Sequence, residues 1–289
     1  MKFLRLILLV LSVYLLGHVW FLARDGFSSK RILFMPPKTD LSKGESEQKI
    51  AAYLNQPYYY LGRGRQCYAF SSADNQLVIK IPRFDRYRLP LYLKAFNFSF
   101  LDSRKSSINK DHSKRLEFLL ESFAIAEDNF SECTGVLYSH LAQTEFLPKE
   151  FVLYDALKRP FKIDLNHTVF AIQEKHPLLI PLFLKELKEG NREKAKEMLS
   201  ALLDLLETRA QRGLFNKDAR FLKNYSWNNG KSVQIDIGSF YRDPLIPDDQ
   251  IYSRSFFHAA WPIREWLTKI DNEMAEFVEH RLESCSISD

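Results

Sequence analysis

Residues 6–23 form an uncharged run between Arg5 and Arg24, interrupted only by Ser12, Gly17 and His18. As a helix rising about 1.5 Å per residue, that run reaches roughly 27 Å, close to the ~30 Å hydrocarbon core of a bilayer. Cleavable signal peptides have a shorter apolar region and small residues at the cleavage site. Here Trp20 and Phe21 are bulky where small residues would be needed, and they sit where interfacial aromatics sit. The pattern predicts an uncleaved membrane anchor over residues 1–24, in preference to a signal peptide. The polar stretch 25–48, with Pro36-Pro37, then reads as a juxtamembrane linker.

Alternating patterns follow and predict strands at residues 58–61, 67–71 and 77–81, the last two joined by an Asp74-Asn75 turn. In the third, Val78 and Lys80 share one face and Leu77, Ile79 and Ile81 the other, so Lys80 is presented to one side of a sheet. Further strand patterns occur at 151–156, 161–165 and 168–173. Helical spacing appears at 111–129, where Leu116, Leu119, Leu120 and Phe123 make an apolar stripe. It returns at 192–212, with Asn191 as cap and Gly213 as stop, and within 256–282, broken or started near Pro262. Residues 83–110 are an insertion rich in Arg, Lys, Phe and Tyr. It suits either an anionic membrane surface or packing on the domain with its charges solvated.

Composition changes this picture little. With 289 residues, 46% hydrophobic and 27% charged, the chain can bury a sizeable core. A net charge of +5 suits a membrane surface or an anionic small molecule, and no nucleic-acid-binding signature accompanies it. Three scattered cysteines make neither a disulfide framework nor a zinc site, and fit a reducing compartment. Lys2 and Arg5 before the apolar run, against Arg24, Lys30, Arg31 and Lys38 after it, place the C-terminal domain on the cytoplasmic side. The N-x-S/T sequons at Asn97, Asn129, Asn166 and Asn224 then read as chance.

The candidate chemistry lies in four separated pieces. L-G-R-G-R-Q-C carries Gly62 and Gly64, and L-V-I-K-I carries Lys80. Asp218 stands in N-K-D-A-R-F-L-K-N and Asp236 in V-Q-I-D-I-G. Phosphoryl transfer needs a loop of close backbone approach, a strand-borne lysine, one aspartate to accept a hydroxyl proton and another to carry magnesium. The order of these pieces, with the two aspartates 18 positions apart, resembles the protein-kinase-like fold over residues 58–240. The resemblance implies an α+β, bilobal kinase-like fold behind the transmembrane helix. Its N-lobe, an antiparallel sheet plus one helix, would cover residues 49–173, and a mostly helical C-lobe residues 174–289.

Carried over, Gly62 and Gly64 would cover the phosphates of ATP, and Lys80 would hold them while paired with Glu121. Glu174 would mark the adenine-contacting hinge. Asp218 would be the catalytic base, and Asp236 with Asn224 would hold Mg2+. The chain departs from the family pattern in several places. Cys67 replaces the third glycine, Asn216-Lys217-Asp218 replaces H-R-D, and Asn224 follows Asp218 by six residues instead of five. Asp236-Ile237-Gly238 replaces D-F-G, and there is no A-P-E. These features look more like bacterial lipopolysaccharide-core sugar kinases and small-molecule phosphotransferases than protein kinases. The expected function is phosphoryl transfer from ATP to a hydroxyl of a sugar, lipid or protein. The alternative is a membrane-tethered pseudokinase that binds without catalysis.

Overall fold

The computed structural model describes residues 2–32, 47–90, 93, 102–218, 220–243 and 248–286. The architecture is α+β, in two compact units: Met1–Ser113 with Tyr138–Lys175, and Lys114–Leu137 with His176–Asp289.

The first unit opens with α1 (Lys2–Ala23) and, after the undescribed residues 33–46, α2 (Glu47–Leu54). Strands β1 (Tyr58–Arg63), β2 (Cys67–Ser72) and β3 (Leu77–Pro82) fall where the alternation placed them. They join β4 (Val136–His140), β5 (Phe151–Tyr154), β6 (Pro160–Ile163) and β7 (Phe170–Glu174) in a sheet ordered β4-β7-β3-β2-β1-β5-β6. The expected antiparallel sheet needs one correction: β1 pairs with β5 in parallel. Some ninety residues separate these two strands, ample for the crossover that a parallel pair requires. Tyr58, Tyr68, Phe70, Ile79, Ile81, Leu153 and Ile172 are fully buried and form the core.

Part of the segment expected as linker is folded into this core. The chain turns at Asp25 and Gly26, both with positive φ, and inserts Phe27, which is 3% exposed. The Phe27 ring lies 5.0–5.7 Å from Tyr60, Tyr68, Phe70 and Phe161. Ile32 is also fully buried. Burying two such side chains is worth several kcal/mol, far more than a tether contributes. Within the aromatic, basic insertion, residues 91, 92 and 94–101 lie outside the described residues; its first turn packs on the sheet with Phe84 fully buried, and its last residues, 102–110, are helical.

The division between units falls inside α3 (Asp102–Asp128), which starts earlier than its apolar stripe suggested. The second unit continues with α4 (Ser131–Thr134), α5 (Leu179–Lys188) and α6 (Arg192–Gln211), whose Leu199, Leu202, Leu203, Leu206 and Ala210 are buried as their spacing predicts. Two short ladders follow, β8 (Phe215–Asn216) with β11 (Phe240–Tyr241), and β9 (Tyr225–Asn228) with β10 (Lys231–Gln234). Helices α7 (Asp248–Leu267) and α8 (Asn272–Ser286) complete it. The break expected near Pro262 lies instead at Asp271, because Pro262 sits inside α7. The Asp271 carboxylate accepts from the Met274 amide at 3.1 Å and so starts α8 as an N-cap.

Candidate active site

The second unit gathers three of the residues singled out from sequence. After Gly213, in the left-handed region at φ 67, α6 gives way to β8, and Asp218 follows at its end. The chain then runs through a turn to β9, reverses at Asn229-Gly230, both with positive φ, and returns along β10. Asp236 lies two residues past β10, in the loop leading to β11, and not on the strand itself. Pairing of β11 with β8 and of β10 with β9 closes both ends of this loop pair. The Lys217 amide donates to Ser239 O at 3.0 Å, and the Ile235 amide to Asn224 O at 2.8 Å.

Asp218 is heavily engaged. Its amide donates to Asn216 Oδ1 at 2.7 Å. Its Oδ1 accepts from the Arg220 amide at 3.0 Å and from Arg220 Nε at 2.9 Å, while its Oδ2 accepts from Arg220 Nη2 at 2.6 Å. This forked ion pair holds the Asp218 carboxyl well below the usual carboxylate range, and Asn224 assists, against the upward pull of burial. Asp236 acts on the same guanidinium, so Arg220 lies in the field of both aspartates. Lys217 stacks on Phe118 at 4.0 Å and on Tyr241 at 5.2 Å. Asn224 is buried, and its Nδ2 closes no hydrogen bond of ordinary geometry.

Helix α3 supplies a clamp that the sequence reading missed. Ser122 Oγ donates to Ile237 O at 2.6 Å and accepts from the Phe240 amide at 2.7 Å, pinning the chain on both sides of Gly238. Its signal was a small hydroxyl residue inside the apolar stripe of Leu119, Leu120 and Phe123. The neighbouring Glu121 is exposed on α3, whereas Glu127 is half-buried with one carboxylate oxygen shielded from solvent. Arg220 was equally open to notice, two residues after Asp218 in the same loop.

The first unit holds Gly62, Gly64, Lys80 and Glu174. Gly62 lies in β1 beside a bulge, and a Cβ built there would meet nothing within 4 Å. Gly64 opens the β1–β2 turn, its amide donating to Cys67 O at 2.8 Å. Neither glycine has a positive φ, and a Cβ at Gly64 would meet Cys67 O at 3.4 Å. The turn is braced from the segment after β3. The Arg83 amide donates to Gln66 O at 2.7 Å, and Arg86 Nη1 donates to Arg65 O at 2.6 Å. Lys80 is half-buried on the interior strand β3, in register with Ala69 and Ala171. Glu174 ends β7 opposite Leu77.

The residues that would hold a cation are Asp236, through its carboxylate, and Asn224, through its amide oxygen; among the described residues no group of three or more His, Cys, Asp or Glu gathers. A cation held here would keep waters or phosphate oxygens as its remaining ligands, which is the habit of magnesium.

No family model and no curated protein matches this sequence. Among solved structures, a crystal structure of WbdD matches at 14% identity with a TM-score of 0.37, covering 77% of this chain and 43% of that one. A structure described as the bifunctional kinase-methyltransferase WbdD matches at 15% identity and 0.36, with the same coverage. The Rv3197–erythromycin complex from Mycobacterium tuberculosis matches at 14% and 0.34, over 69% of this chain and 53% of that one. The chain thus spans about half the length of these proteins. At TM-scores below 0.5 they assign no role to any residue.

Proposed function

We propose that the chain is a membrane-anchored, kinase-like phosphotransferase that moves the γ-phosphoryl group of ATP to a hydroxyl of a sugar, lipid or protein. The observation that carries this reading is the clustering, within one unit, of Asp218 with Arg220 and Asn224, and of Asp236 with the same Arg220. In this reading Asp218 accepts the acceptor's hydroxyl proton as its oxygen bonds to the γ-phosphorus. The bond from that phosphorus to the bridging oxygen breaks, and ADP leaves with the electron pair. Asp236 and Asn224 would hold Mg2+, which supplies charge neutralisation on the phosphate oxygens. Lys80 would hold the α/β-phosphates under the glycine hairpin of Gly62 and Gly64. The apolar helix Phe3–Ala23, exposed along its length, supports the membrane anchor; in this reading the basic residues that follow it keep the rest of the chain in the cytoplasm.

One observation favours the second reading, a pseudokinase: both Asp218 oxygens are engaged by Arg220. A carboxylate has about four acceptor sites, so Arg220 leaves room for a proton without requiring that one be taken. Thermal unfolding of the full-length protein in detergent, with and without Mg-ATP, tests the nucleotide site. A ligand at 100 times its dissociation constant adds about 2.7 kcal/mol. The wild type is expected to be stabilised, and Lys80→Ala and Asp236→Ala to lose that response while melting at the apo temperature. No response at millimolar Mg-ATP sinks the reading. Binding without transfer to any hydroxyl acceptor selects the pseudokinase.

A further inference from the structure

The end of α1 is fastened to the sheet. Phe3–Ala23 is 21 residues of mean hydropathy 2.3. As a helix it is about 31 Å long, enough to cross a bilayer with Trp20 and Phe21 at headgroup depth. Three guanidiniums surround those two rings. Arg159, from the β5–β6 turn, lies 4.8 Å over Trp20, and Arg24 lies 5.7 Å over the same ring. Arg63, at the end of β1, lies 5.7 Å over Phe21. A side chain in contact with an interfacial ring shares its depth, so Arg63 and Arg159 are carried to the headgroups although they are far from α1 in sequence.

Two features make this more than a basic flank on a loose tether. The turn after α1 inserts Phe27 into the aromatic cluster of the sheet, which fixes the helix end to β1, β2 and β6. The local charge is also unbalanced. Asp155 serves both Arg24, at 3.5 Å, and Arg159, at 2.6 Å, and Asp25 serves Arg63 at 3.6 Å. Two carboxylates therefore face three arginines, and Lys158 lies in the same turn as Arg159.

We propose that Arg24, Arg63 and Arg159 form a docking surface for the headgroups of anionic phospholipids, seating the β1, β5 and β6 side of the sheet on the leaflet. The surface rests on the membrane-anchor part of the proposed function and is independent of the phosphotransferase part. Arg63 directly precedes Gly64, so the same seating holds the glycine hairpin beside the headgroups.

The test uses the full-length protein in nanodiscs of phosphatidylcholine with or without phosphatidylglycerol, preceded by carbonate extraction of native membranes. The anionic lipid is expected to raise the melting temperature by about 4 °C or more, a rise that shrinks as salt screens the headgroups. Arg63→Gln with Arg159→Gln should abolish the lipid-dependent difference, and Arg63→Lys with Arg159→Lys should keep most of it, which separates charge from packing. A wild-type protein that resists carbonate yet melts alike in both lipids overturns the docking surface and leaves the anchor standing. Release by carbonate overturns both. The Mg-ATP response is read separately, so loss of the nucleotide site is not mistaken for either.

Discussion

A carboxylate serving as proton acceptor works best with its affinity for protons near the operating pH. Asp218 is held the other way. The Arg220 fork is the largest influence and lowers its pKa, burial opposes, and Asn224 adds to the lowering. Because the folded value is depressed, the stabilisation from this pair is present above the ordinary carboxylate pKa of about 4 and is lost as pH falls through the depressed value. The same sign governs catalysis. The acid limb of the transfer rate should lie below the ordinary range, and in Arg220→Ala it should move to higher pH as Asp218 regains its usual affinity. Stability at neutral pH should change by only about 1 kcal/mol, since the Arg220 side chain is 68% exposed and such pairs are screened. A pH–rate profile whose acid limb stays in place in the variant would show that Asp218 is not the titrating group.

At the scale of elements, the Asp236 loop depends on a helix distant in sequence. Ser122→Ala removes a donor to Ile237 O and an acceptor for the Phe240 amide, both buried. Leaving those two groups unpaired should cost about 2–3 kcal/mol. Amide exchange at Phe240 should quicken in step with the drop in denaturant midpoint, and protection equal to wild type would count against the clamp. What was legible in the sequence was what a single period encodes. The alternation of β1 to β3 and the leucine stripe of α6 fall where their patterns put them. Strand β4 was missed because its inward positions are Val136, Tyr138 and His140, and a buried histidine reads as polar. His140 is satisfied inside by Thr168 O at 2.7 Å, a partner that appears only once the sheet forms. Pro262 misplaced the last break because buried Phe256, Ala260, Ile263 and Leu267 carry α7 through it. In the site, Asp218 and Asp236 are singled out by the order and spacing of the motifs, and each stands two residues past a short strand, Asp218 after β8 and Asp236 after β10. Glu121 is carried over from the resemblance as the helix glutamate paired with Lys80; buried Leu120, Ser122 and Phe123 occupy the inward positions of α3 there and leave Glu121 exposed.

At the scale of the whole molecule, the boundary between anchor and folded domain does not lie where polarity changes. Residues 25–32 read as linker, yet Phe27 is 3% exposed and Ile32 is fully buried in the first unit. Arg24 also reaches the buried Asp155 at 3.5 Å. Truncating one large core side chain costs about 2–5 kcal/mol, and removing two approaches the ~5–15 kcal/mol that holds a typical domain together. A soluble fragment beginning at Arg24 is therefore expected to melt cooperatively, and one beginning at Glu45 to aggregate or melt without a cooperative transition. Phe27→Ala in the longer fragment should fall between them, its loss of about 3–5 kcal/mol read from denaturant unfolding. Equal midpoints for the two fragments would mean that the segment after α1 contributes nothing to the core. Unequal ones make the anchor and the sheet a single mechanical body, because the chain that leaves the apolar helix enters the core within four residues.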